Sequence, residues 1–229
     1  KFMGRGGHDY FQLTGVNDDD YFPIYRDKRR LTEDEYEGYL TTHLTNEAVA
    51  FLKRQGNDHP FFLYLAYNAV HTPAQAPAED IKRYRQKYPH LSERRAILLA
   101  MLEHLDRGVG QVVDTLKEQG QWEHTLLFFL TDNGGAKAME ANNGILRDYK
   151  QSLYEGGIRT PWMISWPDRF EGGRQISVPV ISIDILPTVM AALERNRPTD
   201  SLDFDGVNLL PLLEGHSDRL DRVLYWNIA

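Results

Sequence analysis

Apolar and polar positions follow two kinds of pattern along this chain, and their order predicts an α/β protein. Short, nearly continuous apolar runs at residues 61–67 and 126–131 are typical of buried strands. Between them, apolar side chains recur at helical spacing over residues 97–116, after a Ser92 that can cap a helix and before Gly120. A strand, a helix and a strand in this order predict a right-handed crossover between parallel strands.

Similar patterns predict further elements on both sides of this crossover. Further strands are predicted at residues 162–166 and 178–183, and a strand start at 223–226. Further helices are predicted from the capping box Thr32–Glu35 to Gly56, from an N-cap at Asp184 to about Leu193, and at residues 209–213. Because the chain shows no internal repeat and no low-complexity linker, we expect a single α/β domain over residues 1–229.

Composition narrows the classes of function. The formal net charge of −7 argues against a nucleic-acid-binding protein, which needs a basic face for the phosphate backbone. The absence of cysteine excludes disulfides, thiolate nucleophiles and zinc–cysteine sites. No apolar run approaches the roughly 20 residues of a transmembrane helix. The first residues do not resemble a signal peptide, and we expect the chain to be an internal portion of a longer protein.

Four polar side chains are candidates for chemistry. Asp132 and Asn133 follow the strand predicted at 126–131, and their oxygens suit a hard cation such as Ca²⁺ or Mg²⁺ at the carboxyl end of a strand. Taken alone, such a segment is more often a tight turn, a histidine like His71 an ordinary loop residue and a lysine like Lys150 a solvated surface residue. The functional interpretation depends on their occurring together.

Several segments, in this order, resemble the type I (formylglycine-dependent) sulfatases of the alkaline-phosphatase-like superfamily, from about Gly7 to the end of the chain. They are Phe62–Ala66 leading into His71–Pro77, Thr131–Gly135, Lys150–Pro161 and Ile183–Thr188. The Lys150–Pro161 segment is the most specific of them. The resemblance implies part of an alkaline-phosphatase-like three-layer sandwich with a mostly parallel central sheet.

The resemblance also implies a function, that of a sulfuric-ester hydrolase acting on a sulfated sugar or an aryl sulfate. Asp132 and Asn133 would be two ligands of a Ca²⁺ that polarises the ester. Lys150 would bind a sulfate oxygen, as a compact ammonium suits an oxyanion whose charge grows in the transition state. His71 would contact the sulfate or the ester oxygen. Within the same motif Glu155 to Gly157 would be structural, and Arg159 an ion-pair partner.

The departures from the family pattern are as informative as the matches. The family's formylglycine derives from a Cys/Ser-x-Pro-x-Arg segment upstream of the Asp-Asn pair, and this chain has no Cys. Ser165-Trp-Pro-Asp-Arg169 matches formally but follows the other motifs, so we interpret Ser165 as a strand residue. Asp9 and Asp18 to Asp20 are not in the context of the family's upstream metal-binding acids and are predicted to be solvated loop residues. We therefore expect the nucleophile segment and the C-terminal subdomain to lie outside this chain.

Two other functions stay open at this point. One is a phosphate- or phosphonate-ester hydrolase of the same superfamily, and the other is a non-catalytic remnant of the fold. His8-Asp9-Tyr10 is similar to bacterial sulfatases of aminosugar or glycosaminoglycan substrates, although an ordinary loop would look the same. The resemblance favours an exported or periplasmic enzyme, while the particular ester and the oligomeric state are left open.

Overall fold

A computed structural model describes residues 9–13, 24–36, 38–56, 59–193 and 204–227. Its helices are α1 (Leu40–Gln55), α2 (Ala78–Lys87), α3 (Glu93–Glu118), α4 (Glu155–Ile158), α5 (Ile185–Ala192) and α6 (Leu210–Leu213). Its strands are β1 (Tyr25–Arg26), β2 (Arg29–Arg30), β3 (Leu127–Leu130) and β4 (Trp162–Ser165). Short 3-10 turns occupy Glu33–Glu35, Lys137–Met139 and Ser182–Asp184. The predictions made on His8 and on Asp18 to Asp20 lie outside the described residues.

The chain divides into two compact units. The first unit comprises residues 1–122 and 130–162, and the second comprises residues 123–129 and 163–227. The single domain predicted over residues 1–229 stays a prediction. Among the helices that the structure describes, none has the length and apolar character needed to cross a membrane.

Three helices form the framework of the first unit, with α3 packed against α1 and α2. The predicted cap of α3 is confirmed, since Ser92 Oγ accepts a hydrogen bond from the Arg95 amide at 3.0 Å. The helix ends just before Gly120, whose φ of +66° few other residues adopt. Leu52 and Met101 are fully buried in this framework, and burying each such side chain contributes about 1.5–3 kcal/mol.

The capping box at Thr32–Glu35 is formed, but it caps a 3-10 turn and not α1. The Glu35 carboxylate accepts hydrogen bonds from the Thr32 amide at 3.1 Å and from the Thr32 hydroxyl at 2.9 Å. Gly38 then has a φ of +78°, which a right-handed helix cannot include, so α1 begins only at Leu40. The predicted end of the helix at Gly56 is confirmed.

The strand predictions were correct in two of five places. β3 and β4 occupy the runs predicted at 126–131 and 162–166 and pair with each other, and Ser165 is the last residue of β4, as interpreted from the sequence. The predictions at 61–67, 178–183 and 223–226 were wrong, because these segments have no strand partner within the described residues. The crossover predicted between 61–67 and β3 is therefore not formed there. The described part still combines helices with a partial sheet, as the α/β class requires.

In the second unit, Asp184 has a different role from the one predicted. It precedes α5, but its side chain forms no cap hydrogen bond with that helix. The fully buried carboxylate instead accepts hydrogen bonds from the amides of Ile181 at 2.9 Å and Val207 at 3.0 Å, and from the guanidinium of Arg222 at 2.6 Å. Asp184 thus connects three segments of the second unit.

Candidate functional site

The turn that follows β3 presents the two predicted metal ligands side by side. The Thr131 hydroxyl donates to the Asn133 carbonyl at 3.2 Å, which closes the turn. The Asn133 carboxamide donates to the Asp132 carboxylate, so the two side chains lie against each other. Asp132 is exposed and Asn133 is half-buried. Oxygen donors on adjacent residues are thereby available at one point of the surface.

Glycines let this turn approach the Gly156–Gly157 segment backbone to backbone. The Gly134 amide donates to the Gly157 carbonyl at 2.9 Å. A Cβ on Gly134 would lie 1.8 Å from the Gly156 oxygen, and a Cβ on Gly156 would lie 2.0 Å from the Asp148 oxygen. No side chain fits in either place. This geometry agrees with the structural role predicted for Gly156 and Gly157, both of which are buried.

Lys150 belongs to the same assembly through its backbone. Its amide donates to the Gly135 carbonyl at 3.0 Å, so the chain at Lys150 runs directly beside the end of the turn. Its neighbours Asp148 and Gln151 have φ values of +69° and +72°, and the chain therefore bends on both sides of the lysine. Arg159 pairs with Glu155 at 3.3 Å on the surface, consistent with the ion-pair role predicted for it.

Sequence reasoning missed Asn143, whose side chain contacts both segments. Its Oδ1 accepts from the Gly135 amide at 3.1 Å, and its Nδ2 donates to the carbonyls of Asp148 at 2.9 Å and Gly156 at 3.0 Å. In the sequence, Asn143 precedes Gly144, a pair that indicates only a turn. Nothing in that signal points to backbone partners on three separate stretches of chain.

His71 lies on another loop of the first unit. Its amide donates to the Asn68 carbonyl at 2.8 Å, and the loop has cis peptide bonds at Ala69–Val70 and Thr72–Pro73. His71 Nδ1 lies 2.8 Å from the Thr72 carbonyl. Because a carbonyl oxygen can only accept, this contact places a proton on Nδ1 and makes Nε2 the ring atom available for acid or base chemistry.

The segment before α1 supports the His71 loop, which corrects a prediction. Asp9 was expected to be a solvated acid, yet it is buried and accepts from the Phe11 amide and from Gln75 Nε2, both at 2.7 Å. The adjacent Tyr10 hydroxyl donates to the His71 carbonyl at 3.0 Å. Burial raises the pKa of Tyr10, so this phenol stays protonated and remains a donor. The sequence could not reveal the Asp9–Gln75 and Tyr10–His71 contacts, since each joins residues more than sixty positions apart.

Both loops pack on one hydrophobic core of the first unit. Ala69, Val70 and Ala74 of the His71 loop contact it, as do Ala136 and Ala141 beyond the Asp132 turn. The structure therefore joins the Asp132–Asn133 turn directly to the Lys150 segment and supports His71 separately over the same core.

The oxygen donors of Asp132 and Asn133 fit the chemistry of Ca²⁺, but they account for only part of its coordination. Ca²⁺ takes six to eight oxygen ligands. In the part of the chain that the structure describes, no three His, Asp or Glu side chains come close enough together to hold a metal ion. The two residues therefore provide the kind of atom that Ca²⁺ binds, but the remaining ligands would have to come from other residues.

Asp132 and Asn133 place oxygen atoms at the carboxyl end of β3, and the backbone of Lys150 is hydrogen-bonded to the same turn. In an α/β protein, this arrangement defines a candidate site for an anionic ester. A family model described as Sulfatase matches residues 3–194. This chain belongs to the sulfatase family. The predicted family is thereby confirmed.

Individual relatives agree with this membership. The chain is 32% identical over 213 residues to the uncharacterized sulfatase YdeN of Escherichia coli strain K12, which covers 91% of this chain and 37% of that protein. It is 34% identical over 218 residues to human N-acetylgalactosamine-6-sulfatase, and the match covers 89% of this chain and 40% of the human protein. The chain thus spans well under half the length of these curated relatives.

A solved structure supports the fold. The crystal structure of Ps i-CgsB in complex with k-i-k-neocarrahexaose superimposes with a TM-score of 0.78 at 36% identity, covering 90% of this chain and 47% of that one. This likeness confirms the predicted alkaline-phosphatase-like α/β class, of which the described residues contain part of the sheet.

Proposed function

We propose that the protein to which this chain belongs is a sulfuric-ester hydrolase, and that this chain supplies one side of its active site. The observation that carries the proposal is the hydrogen-bonded assembly of the Asp132–Asn133 turn with the Lys150 segment, within a sulfatase-family chain. In this assembly, Asp132 and Asn133 offer oxygen atoms to a metal ion, and Lys150 offers an ammonium group to a negatively charged oxygen. The two groups of residues lie on adjoining stretches of backbone.

Each residue has a role that its chemistry allows. Asp132 and Asn133 would hold a Ca²⁺, which when bound would polarise the sulfate ester. Lys150 would bind a sulfate oxygen and stabilise the negative charge that grows there. His71, with its proton on Nδ1, would present Nε2 to the sulfate or ester oxygen. The nucleophile, a formylglycine, would come from a segment outside this chain.

A sulfated saccharide is the substrate class that we propose. Two similar proteins support this proposal: one is an N-acetylgalactosamine-6-sulfatase, and the other, Ps i-CgsB, was crystallised with k-i-k-neocarrahexaose.

The test uses the complete gene and its product, with Lys150→Ala as the informative variant. We expect a Cys/Ser-x-Pro-x-Arg segment upstream of Lys1, and hydrolysis of an aryl sulfate in preference to the matching aryl phosphate. Removing the Lys150 ammonium should lower kcat/KM by about 10²–10³-fold, the usual effect of losing one group that stabilises transition-state charge.

Lys137→Ala is the matched control, because Lys137 is an exposed lysine in the 3-10 turn of the same unit. It should leave kcat/KM unchanged. A clear preference for phosphate would establish a phosphate-ester hydrolase instead. Equal activity of the Lys150→Ala and Lys137→Ala variants would remove Lys150 from the site.

A further inference from the structure

We propose that Asn143 is a positioning residue that fixes the Asp132–Asn133 turn relative to Lys150. The inference rests on the proposed function for the meaning of those three residues, but its geometry stands independently. Asn143 is half-buried, and the hydrogen bonds described for its side chain all go to backbone groups of the two segments. It acts on them through the backbone.

The carboxamide of Asn143 uses its acceptor on one segment and its donors on the other. The acceptor Oδ1 takes the Gly135 amide, two residues after Asn133. The donor Nδ2 bonds to the Asp148 carbonyl, two residues before Lys150, and to the Gly156 carbonyl. A carboxamide carries one acceptor and two donor hydrogens on a single rigid plane, so it can serve amide and carbonyl groups simultaneously.

Backbone hydrogen bonds surround the Asn143 side chain and join the same two segments. The Gly134 amide bonds to Gly157 and the Lys150 amide bonds to Gly135, so the turn already touches both flanks of the Lys150 segment. Asn143 bonds to the same two stretches of backbone, and a Cβ on Gly135 would lie 2.8 Å from its Oδ1. Its side chain therefore sets how closely the turn and the Lys150 segment approach.

Substitution of Asn143 by aspartate tests whether its hydrogen bonds, and not only the volume of its side chain, hold the two segments together. Asn143→Asp keeps the size of the side chain and the acceptor for Gly135, but it has no donor for the two carbonyls. Its negative charge would instead face the carbonyl oxygens of Asp148 and Gly156, and would push the Lys150 segment away from the turn. Asn143→Gln keeps all the polar groups and moves them by one methylene.

Asn142 offers a control within the same loop. It is exposed, and its Oδ1 accepts only the local Gly144 amide at 2.8 Å among the hydrogen bonds described. Asn142→Asp makes the same chemical change and introduces the same charge one residue away. It should leave the turn and the Lys150 segment in place.

The experiment compares these variants in the full-length protein by two readouts. Hydrogen exchange followed by mass spectrometry should show the Gly135 and Lys150 amides exchanging at least about 10-fold faster in Asn143→Asp, because opening of the bridge exposes them. With aryl sulfate, kcat/KM should fall by about 10–100-fold and half-maximal activity should need more Ca²⁺, as for lost supports of metal ligands. Asn142→Asp should match the wild type in both.

The possible outcomes separate this proposal from the proposed function. If exchange and Ca²⁺ dependence in Asn143→Asp equal those of Asn142→Asp, Asn143 does not position the site. If only the melting temperature falls, its role is structural.

If the full-length protein hydrolyses no sulfate ester, the proposed function fails, while exchange at Gly135 and Lys150 still decides the positioning role. Should Asn143→Asp not fold, Asn143→Gln gives the same comparison, with faster exchange expected and unchanged exchange contradicting the proposal.

Discussion

At the scale of single residues, the second unit contains a fully buried carboxylate, that of Asp184. Burial of Asp184 favours its neutral form, but hydrogen bonds from Arg222 and from the Val207 and Ile181 amides outweigh that effect. The pKa of Asp184 is therefore below its ordinary value. Because the unfolded chain binds its proton more tightly, the ionised pair stabilises the unit above about pH 4, and this contribution is lost as the pH falls towards the folded-state pKa.

Replacing Arg222 by methionine should leave this buried carboxylate without its cation. We expect a loss of about 3–5 kcal/mol in the free energy of unfolding at pH 7, the usual cost of breaking a buried ion pair on one side. Without Arg222, burial should raise the pKa of Asp184. The free energy of unfolding of the variant should therefore change with pH at higher pH values than that of the wild type does. Urea unfolding between pH 3 and pH 7 measures both effects.

The matched control is Arg219→Met, which removes an arginine from an ion pair with Asp221 whose side chains are 76% and 77% exposed. Exposed pairs contribute about 0–1 kcal/mol, so this variant should unfold almost as the wild type does. Equal losses in the Arg222 and Arg219 variants would show that the buried pair does not support the unit.

The sequence singled out individual positions, but it did not reveal their hydrogen-bond partners. Asp132, Asn133 and Lys150 could be picked out because they occur together, in order, within segments that resemble the sulfatase family. Asp184 could be noticed too, but only as a helix cap, since Arg222 lies 38 positions further along. A hydrogen bond over that separation is created by the fold, and no local pattern reports it.

At the scale of elements, the candidate site depends on the turn at residues 132–135 and the glycine pair of α4, which touch through their backbones. Gly134→Ala would place a Cβ 1.8 Å from the Gly156 oxygen, so one of the two backbones must move. We expect a loss of about 1–3 kcal/mol in stability, as for overpacking elsewhere. Because the same movement displaces Asp132 from Lys150, kcat/KM should fall by about 10²-fold in the full-length protein.

Gly110→Ala is the corresponding control on α3. A Cβ there meets no atom within 4 Å, and alanine is the better helix former by about 1 kcal/mol. This variant should be at least as stable as the wild type and fully active. Thermal unfolding and kcat/KM measured on both variants check the prediction, which is contradicted if Gly134→Ala behaves like Gly110→Ala.

Helices could be predicted from the sequence more reliably than strands for a physical reason. The bonds of α3 join residues four apart, so a cap at Ser92, an apolar face and a glycine stop contain most of the necessary information. A strand needs a second strand, and residues 61–67 have an apolar run without such a partner in the described structure. The apolar pattern could not indicate what lies beside the segment.

At the scale of the whole molecule, the unpaired apolar segments are the feature that calls for explanation. In the first unit, Phe62 and Tyr64 are 79% and 81% exposed, although their neighbours Leu63 and Leu65 pack on the core. In the second unit, Val223 and Tyr225 are 71% and 83% exposed. Side chains of this size contribute about 1.5–3 kcal/mol each when covered. The curated relatives are longer than this chain by more than half of their own length, which is ample to cover such segments.

The 229-residue chain expressed alone should therefore differ from the full-length protein in surface and in activity. We expect it to bind a hydrophobic dye such as anilinonaphthalene sulfonate, to bind Ca²⁺ weakly through Asp132 and Asn133, and to hydrolyse aryl sulfate at a negligible rate. Replacing Phe62 and Tyr64 by serine should reduce the dye fluorescence, whereas the full-length protein should bind little dye without any substitution. Robust turnover by the isolated chain would contradict this expectation, and its loss in Ser165→Ala would then place the nucleophile at the one serine whose surrounding sequence matches the family's motif.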